Sequence, residues 1–468
     1  MDRMSQTPAT PGPAWGLPAA WLAVAATAVM GCSPRPDVVL ITIDTLRVDH
    51  VGAFAANSPA RTPNIDRLAK DGIAYTQAWS PISVTGPSLV TVHTGQRPGT
   101  HGVVMNLFRG GPSLSPKTPR IAKRLAHQGY RTGAFVAGFT LRQELGLKPG
   151  FRTYEGVPLG TRRVPGEANV TRSLKWLRSK KEDEKTFLWY HSYDPHGPLG
   201  VWTEPPAEGE WRDDPAERAK FPEYQLIEHV SDPAWYERQY ATAVEATDAQ
   251  VGRILTWLDE KERYEDALVI FTADHGESFD EREQWFSHGN FASAEQLHVP
   301  LIVKLPKNAR AGERVDLLVG LEDIAPTVLD VLNLEPFGRA DGRSLLTHPG
   351  YDVVVGESSH CKDEPVLECR PHGVKGKEFA ARSAAAALIE RPVDGDRIAR
   401  QHYDRRSDAA ERTLLQAEPP ATLPAAIVPY REARLALDLV VPSTGDGAPA
   451  TDEERAEREA LKALGYLE

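Results

Sequence analysis

Long apolar runs separated by amphipathic stretches organise this chain. Three of them, Val38–Ile43, Phe187–Tyr193 and Ala267–Ala273, are rich in β-branched and aromatic residues at successive positions. That pattern predicts strands buried on both faces, as in a parallel sheet covered by helices. Each run is followed by an acid, Asp44, Asp194 and Asp274, and the last two have His196 and His275 close behind. Ligands of such sheets collect at the carboxyl ends of the strands, so acids and imidazoles placed there describe a cation site.

The stretches between the runs supply the helices. Pro63 to Gly72 reads as a short helix with proline in its first turn and glycine at its end, and Ile121 to Gly129 repeats the pattern before a strand at Thr132–Ala137. A long amphipathic helix is expected from Trp235 to Lys261, strands at Leu301–Leu305 and Val315–Gly320, and a helix from Ile324 to Leu332. Strand and helix patterns thus alternate from Asp37 to Leu334, the signature of an α/β sheet with crossover helices. Residues 200–235, rich in Pro, Glu and Trp without a period, predict a surface insertion near the site. Beyond Leu334 the chain changes character: Tyr351–Val355 reads as a strand, and residues 372–440 mix Ala, Arg and acids with poor periodicity. The division expected is a leader and tether over 1–36, a catalytic domain over 37–334 and a smaller C-terminal α+β subdomain over 335–468.

Composition narrows the function classes. With 41% hydrophobic and 25% charged residues in 468, the chain has ample core, and a net charge of −11 without a dense basic block argues against a nucleic-acid surface. Leu17 to Cys32 forms an apolar segment too short to span a bilayer comfortably. It resembles a bacterial lipoprotein signal, with cleavage before Cys32 and acylation of its thiol; Met30 departs from the small residue usual there, and an uncleaved anchor helix is the alternative. Either reading places the body of the protein in the cell envelope, outside the cytoplasm and tethered to a membrane, and Ser33 after the cysteine points to the outer membrane. Cys361 and Cys369 are the other cysteines; their spacing fits no common zinc pattern, and a small-loop disulfide is favoured.

Chemistry localises at Ser83-Val-Thr85-Gly86-Pro87-Ser88-Leu89. Gly86 as cap and Pro87 as first helical residue would set Thr85 at the mouth of a helix whose free N–H groups favour an anion. A threonine hydroxyl is a weak nucleophile unless a divalent metal makes it more acidic. Asp44-Thr-Leu-Arg47-Val-Asp49, Thr62-Pro-Asn-Ile-Asp, Thr85-Gly-Pro-Ser, Thr94-Gly95, His101-Gly102, Asp194-Pro-His196-Gly-Pro, Thr272-Ala-Asp274-His275-Gly-Glu and His288-Gly289 before Val299-Pro-Leu follow one another in an order that resembles the sulfatase family of the alkaline phosphatase superfamily. The resemblance runs from Asp37 to Leu334, with faint echoes at Tyr403-Asp404 and Leu461 to Tyr466.

The resemblance implies an alkaline-phosphatase-like sandwich, with a mostly parallel central sheet flanked by helices. It makes Asp44, Asp274 and His275 metal ligands together with Thr85, which stands at the nucleophile position, and it places His196 and His288 against the transferred group or the leaving oxygen. Ligand types alone admit calcium, magnesium, manganese or zinc. Two-metal members of the superfamily supply an additional Asp-x-x-x-His set, whereas the spacing here is Asp194-Pro-His196, so the resemblance implies one firmly bound ion with a second possible. Arg47 and Asp49 are expected to form a structural ion pair behind the site, while His50, His93 and His298 are surface or packing residues.

Departures from the family pattern shape the functional expectation. Classical members oxidise Cys or Ser to formylglycine in a C/S-x-P-x-R motif; Thr85 cannot form that aldehyde, and Leu89 replaces the arginine. A Gly-Lys-Trp-His stretch is answered here by Ala137-Gly138-Phe139-Thr140, and Thr45 stands where many members carry another metal-binding aspartate. The expected activity is metal-dependent hydrolysis of an anionic phosphate or sulfate ester by Thr85, with phosphoryl chemistry preferred. The alternatives are a transferase that moves a phospho-substituent onto envelope glycans or lipids, and a silent module that binds anionic glycans.

Overall fold

The three acid-terminated runs lie side by side as parallel strands. In the computed structural model, β1 (Val38–Ile43) pairs in parallel with β5 (Thr186–Ser192) on one side and β6 (Leu268–Ala273) on the other. Ile43 is level with Ser192 and with Ala273, so the residues that follow the three strands emerge at one edge of the sheet. Every residue of the three strands is buried, as continuous apolar runs require.

Residues 35–106, 113–158, 161–199, 212–227, 229–359, 377–393, 397–435 and 437 are described. The leader with Cys32, the Cys361 and Cys369 pair and the Leu461–Tyr466 echo lie outside them. The remaining strands of the large sheet are β2 (Ile73–Trp79), β3 (Arg131–Val136), β4 (Thr153–Glu155), β7 (His298–Lys304) and β8 (Glu313–Gly320), in the order β4-β3-β5-β1-β6-β7-β2-β8. Among the described strands of this mostly parallel sheet, only β7 runs against its neighbours.

Helices cover it as the sequence pattern predicts. Helix Pro63–Asp71 begins on proline, helix Ile121–His127 precedes β3, helix Gly166–Arg178 follows β4, and helix Ile324–Val331 follows β8. The long helix Pro233–Glu260 is capped by Asp232, whose side chain accepts from Ala234 N. A Cβ on Gly133 would stand 2.6 Å from the Trp176 ring, so the missing side chain lets helix Gly166–Arg178 approach β3. Among the described residues no helix is long and apolar enough to cross a membrane.

A small antiparallel sheet, β9 (Val354–Glu357), β10 (Phe379–Arg382), β11 (Ala386–Pro392) and β12 (Ile398–Asp404), carries helix Thr422–Leu435 through Leu423 and Ile427, which pack with Phe379, Ala381 and Leu388. The poor periodicity of residues 372–440 reflects this sheet, whose short strands are interrupted by turns. Arg382 joins Glu411 through two bonds of 2.6 and 2.7 Å and also donates to Ala292 O at 2.7 Å. This fully desolvated pair ties β10 to the loop after β12, each charge held by the other, and the Ala292 bond ties β10 to the loop before β7. Glu357 N donates to Pro81 O at 3.0 Å, which places the end of β9 beside the segment leading to Thr85.

The histidines set aside in the sequence are packing residues. His93 sits edge-on to Trp189 at 4.2 Å, His298 stacks on Trp79 at 4.7 Å, and His50 meets Tyr240 at 4.9 Å.

Candidate active site

Asp44 and Asp274 leave adjacent strands at the same level, and His275 follows directly. One ligand atom from each of these three buried residues lies within 4.8 Å of the others. The turn after Asp44 is tightly held: Thr45 adopts φ 55°, its N–H donates to Asp274 Oδ1 at 3.1 Å, and its carbonyl accepts from Tyr240 Oη at 2.6 Å. A non-glycine residue at positive φ persists where its surroundings over-determine it, and here those bonds fix the two aspartates relative to each other. Arg47 continues the brace. It bonds Asp49 and Glu281, each at 2.7 Å, and donates to Glu277 O at 3.0 Å, so the ion pair does lie in a supporting role.

Thr85 enters from the helix Thr85–Thr94. Its hydroxyl donates to Asp44 Oδ2 at 3.2 Å and lies 3.5 Å from His275 Nε2. The local helix start differs from the sequence expectation, because Val84 is the N-cap and Gly86 is inside the first turn. Gly86 N donates to Asn106 Oδ1 at 2.7 Å and Pro87 has no N–H, so the helix mouth offers an anion fewer free donors than an open first turn would. Leu89 is buried in the hydrophobic core. Ser88 donates to Asp274 O at 2.7 Å, which braces the helix against β6 and turns that hydroxyl away from the cluster.

Two further imidazoles extend the site. His275 and His288 have ring centroids 4.6 Å apart, and His288 meets His196 edge-on at 4.9 Å. His196 stacks on Tyr193 at 4.2 Å. Asp194 separates from this group: Oδ1 accepts from Gly166 N at 3.0 Å and Oδ2 from Gln250 Nε2. Of the three strand-end acids it is therefore the structural one, and His196 Nδ1 faces Gly197 O at 2.8 Å. The Asp194-Pro-His196 set is not assembled as a second ligand group.

Three participants escaped the sequence reading. His191, inside β5, puts Nε2 3.4 Å from Asp44 Oδ2 while Nδ1 meets Thr42 Oγ1 at 2.9 Å. Glu277 lies 3.2 Å from His288 Nδ1, and Asn106 holds Gly86. The pairing of polar Thr42 with His191 at the same level of two otherwise apolar strands was the available signal for the first; distant Asn106 had none.

The electrostatics fit a cation. Burial, joined by the charge of Asp44, pushes the Asp274 carboxyl up to about 6, and burial raises Asp44 well above its usual range. Burial lowers His275 and His191 to about 4 each. Carboxylates that resist ionising beside imidazoles that resist protonation suit a divalent ion, which favours the deprotonated form of both. Asp44 Oδ1 and Asp274 Oδ2 are buried without a hydrogen-bond partner in the protein. His275 Nδ1 lies 2.8 Å from Gly276 O, the bond that fixes the tautomer with Nε2 free to act as a ligand. The donor set passes the test for a metal.

A sheet sandwich with acids and imidazoles gathered at the carboxyl ends of its central parallel strands, beside a hydroxyl at a helix start, is the architecture of a hydrolase of the alkaline phosphatase superfamily. Within it, the Sulfatase family model matches residues 36–334, and the chain belongs to that family. Family members are metal-dependent ester hydrolases, and the small antiparallel sheet completes the fold of sulfatase-like neighbours. The chain is 26% identical over 396 residues to the multifunctional alkaline phosphatase superfamily protein PehA of Trinickia caryophylli, covering 67% of this chain and 76% of that protein. It is 21% identical over 401 residues to the N-acetylglucosamine-6-O-sulfatase of Bacteroides thetaiotaomicron, covering 66% and 70%. The crystal structure of the phosphonate monoester hydrolase of Agrobacterium radiobacter superposes with a TM-score of 0.64 at 20% identity, covering 86% of this chain and 95% of that one.

Proposed function

We propose that the protein is a metal-dependent hydrolase of anionic esters in which Thr85 is the nucleophile and phosphoryl transfer is preferred over sulfuryl transfer. The observation that carries this reading is the position of the Thr85 hydroxyl, 3.2 Å from Asp44 Oδ2 and 3.5 Å from His275 Nε2. Asp44, Asp274, His275 and Thr85 would hold the cation. When bound, a divalent ion supplies the positive charge that makes the hydroxyl acidic enough to attack and offsets charge on the oxygens of the transferred group.

The protein groups then have separable tasks. Thr85 Oγ1 bonds to phosphorus as the ester P–O bond breaks in line, and Asp44 Oδ2 is the acceptor its proton already faces. The departing alkoxide takes a proton from His196 or His288. Both imidazoles are held neutral in the resting pocket by burial, His288 at about 3. An anionic ester placed against them favours their protonated form and arms them when substrate is present. Glu277, whose carboxyl burial keeps well above its usual range, orients His288 and can share that proton. Water then cleaves the phosphothreonine and restores the hydroxyl.

The proteins this chain resembles include both a phosphonate monoester hydrolase and an N-acetylglucosamine-6-O-sulfatase, so the preference rests on the chemistry of Thr85. The test is turnover by protein loaded in turn with Ca, Mg, Mn and Zn. A p-nitrophenyl phosphonate or phosphodiester is expected to be cleaved faster than p-nitrophenyl sulfate. Robust sulfate turnover with negligible cleavage of every phosphorus ester would overturn the preference and leave the metal cluster standing.

Attachment to the cell envelope through acylated Cys32 is part of the same proposal, resting on the leader sequence. Cys32→Ala is expected to release the protein from the membrane fraction; equal retention would replace the lipid tether with an uncleaved anchor helix.

A further inference from the structure

The cluster around Thr85 consists of carboxylates and buried imidazoles, and residues 137–140 on the neighbouring wall contribute no cation. The segment paired with them does. Phe139 N donates to Arg162 O at 3.2 Å and Val164 N to Ala137 O at 3.0 Å, and Gly138 and Arg163 form an antiparallel bridge. This pairing delivers Arg163 to His196, where Nη1 donates to the backbone carbonyl at 3.3 Å.

Arg163 is placed and available for an outside ligand. A guanidinium has five N–H donors, and that carbonyl engages only Nη1. Among the described residues no carboxylate forms an ion pair with it. Asp194, whose charge reaches it, is occupied by Gly166 N and Gln250. Contacts lead from the metal cluster through His275, His288 and His196 to Arg163; the three imidazoles are buried, and Arg163 at the end of the path is partly exposed. The guanidinium therefore stands at the rim on the His196 side, where the alcohol half of an ester protonated by His196 would extend.

We propose that Arg163 is a specificity-determining residue that binds a second oxyanion, a carboxylate, sulfate or phosphate, carried by the alcohol half of the substrate. The substrate class becomes esters of acidic sugars or other multiply charged alcohols. The inference rests on the reading of the Thr85 to His196 space as an ester site. Its physical basis is a charge-assisted, planar bidentate grip at a partly desolvated position, the setting in which arginine discriminates an oxyanion from a neutral group of similar size.

The experiment separates this inference from the reading beneath it. Metal-loaded Thr85→Ala protein, which should bind esters without turning them over, is titrated calorimetrically at about 0.1 M salt with 4-carboxyphenyl, 4-sulfophenyl and 4-acetylphenyl phosphate. With Arg163 present, each charged ester should bind about tenfold more tightly than the neutral one, the worth of one charged hydrogen-bonded contact. Adding Arg163→Gln should erase that difference without weakening the acetyl ester, and Arg163→Lys should restore part of it. A carboxylate preference without a sulfonate preference, or the reverse, identifies which oxyanion the rim accepts and supports the inference. Equal binding of all three esters, or a charge preference that survives Arg163→Gln, overturns the Arg163 assignment alone. Failure of every ester to bind overturns the ester-site reading, and the assignment falls with it.

Discussion

Asp274→Asn protein, dialysed against excess divalent metal, is expected to emerge folded with little bound ion and with kcat/KM reduced by about 10³ or more, the scale of losing a principal source of transition-state charge stabilisation. Asn has the shape of Asp without the charge, so Thr45 N retains an acceptor and the turn after β1 survives. The metal loses an anionic ligand whose Oδ2 has no protein partner. Elemental analysis showing full occupancy in the variant would refute the ligand assignment. Stability gives a second, oppositely signed readout in metal-free protein. Burial and Asp44 raise the Asp274 carboxyl to about 6 in the folded chain, against about 3.9 when unfolded. The raised value penalises the folded state as pH climbs from about 4 through 6, by on the order of 3 kcal/mol once ionisation is complete. Below pH 4 both states hold the proton and no penalty exists. Metal-free Asp274→Asn should therefore match the parent at pH 4 and exceed it at pH 7.5 in urea midpoint, whereas with metal present the parent should be the more stable. If removing metal leaves the parent more stable than the variant at pH 7.5, Asp274 is not the charge under strain.

The parts of this site that could be read from the chain are those fixed by strand ends. A strand buried on both faces is mostly apolar, so the acid that ends the run marks the sheet edge, and this puts Asp44 and Asp274 at one edge of the sheet. The same logic could not tell Asp194 from them. An acid after a buried strand looks alike in sequence whether it turns to a cation or, as here, to Gln250 and Gly166 N. Nor does the run around His191 reveal that its imidazole reaches Asp44, because that contact depends on the register between β1 and β5. Strand β2 passed unnoticed because Thr76 and Gln77 interrupt its apolar run, and only its position between β7 and β8 makes it a strand. At the helix start, Gly86 and Pro87 located the turn to within two residues but not the cap, which fell to Val84 because the Asn106 side chain supplies the Gly86 N–H with its acceptor.

Thr85→Ala should abolish turnover of every ester that the parent cleaves, while the protein remains folded and able to bind metal with somewhat reduced affinity. The substitution removes the hydroxyl and the γ-methyl of one buried side chain and leaves Asp44, Asp274 and His275 in place. The loss should reach about 10³-fold or more, the usual scale for deleting a covalent nucleophile, and Thr85→Ser, which restores the hydroxyl, should recover part of the rate. A chemical signature should accompany it. A phosphorus ester quenched in acid during turnover is expected to leave a phosphoryl or phosphonyl group on the peptide containing Thr85, detectable by mass spectrometry and missing from the alanine variant. A secondary alcohol offers no aldehyde hydrate, so a sulfated threonine would lack the elimination by which a formylglycine hemiacetal expels sulfate and would be released slowly. Phosphorus has a workable exit, because water can attack the phosphothreonine while the same cation and imidazoles offset the charge that develops. Substantial activity in Thr85→Ala, or an oxidised aldehyde at Ser83 or Ser88 in the parent, would mean that another group makes the attack and that the resemblance to ordinary sulfatases extends to their chemistry.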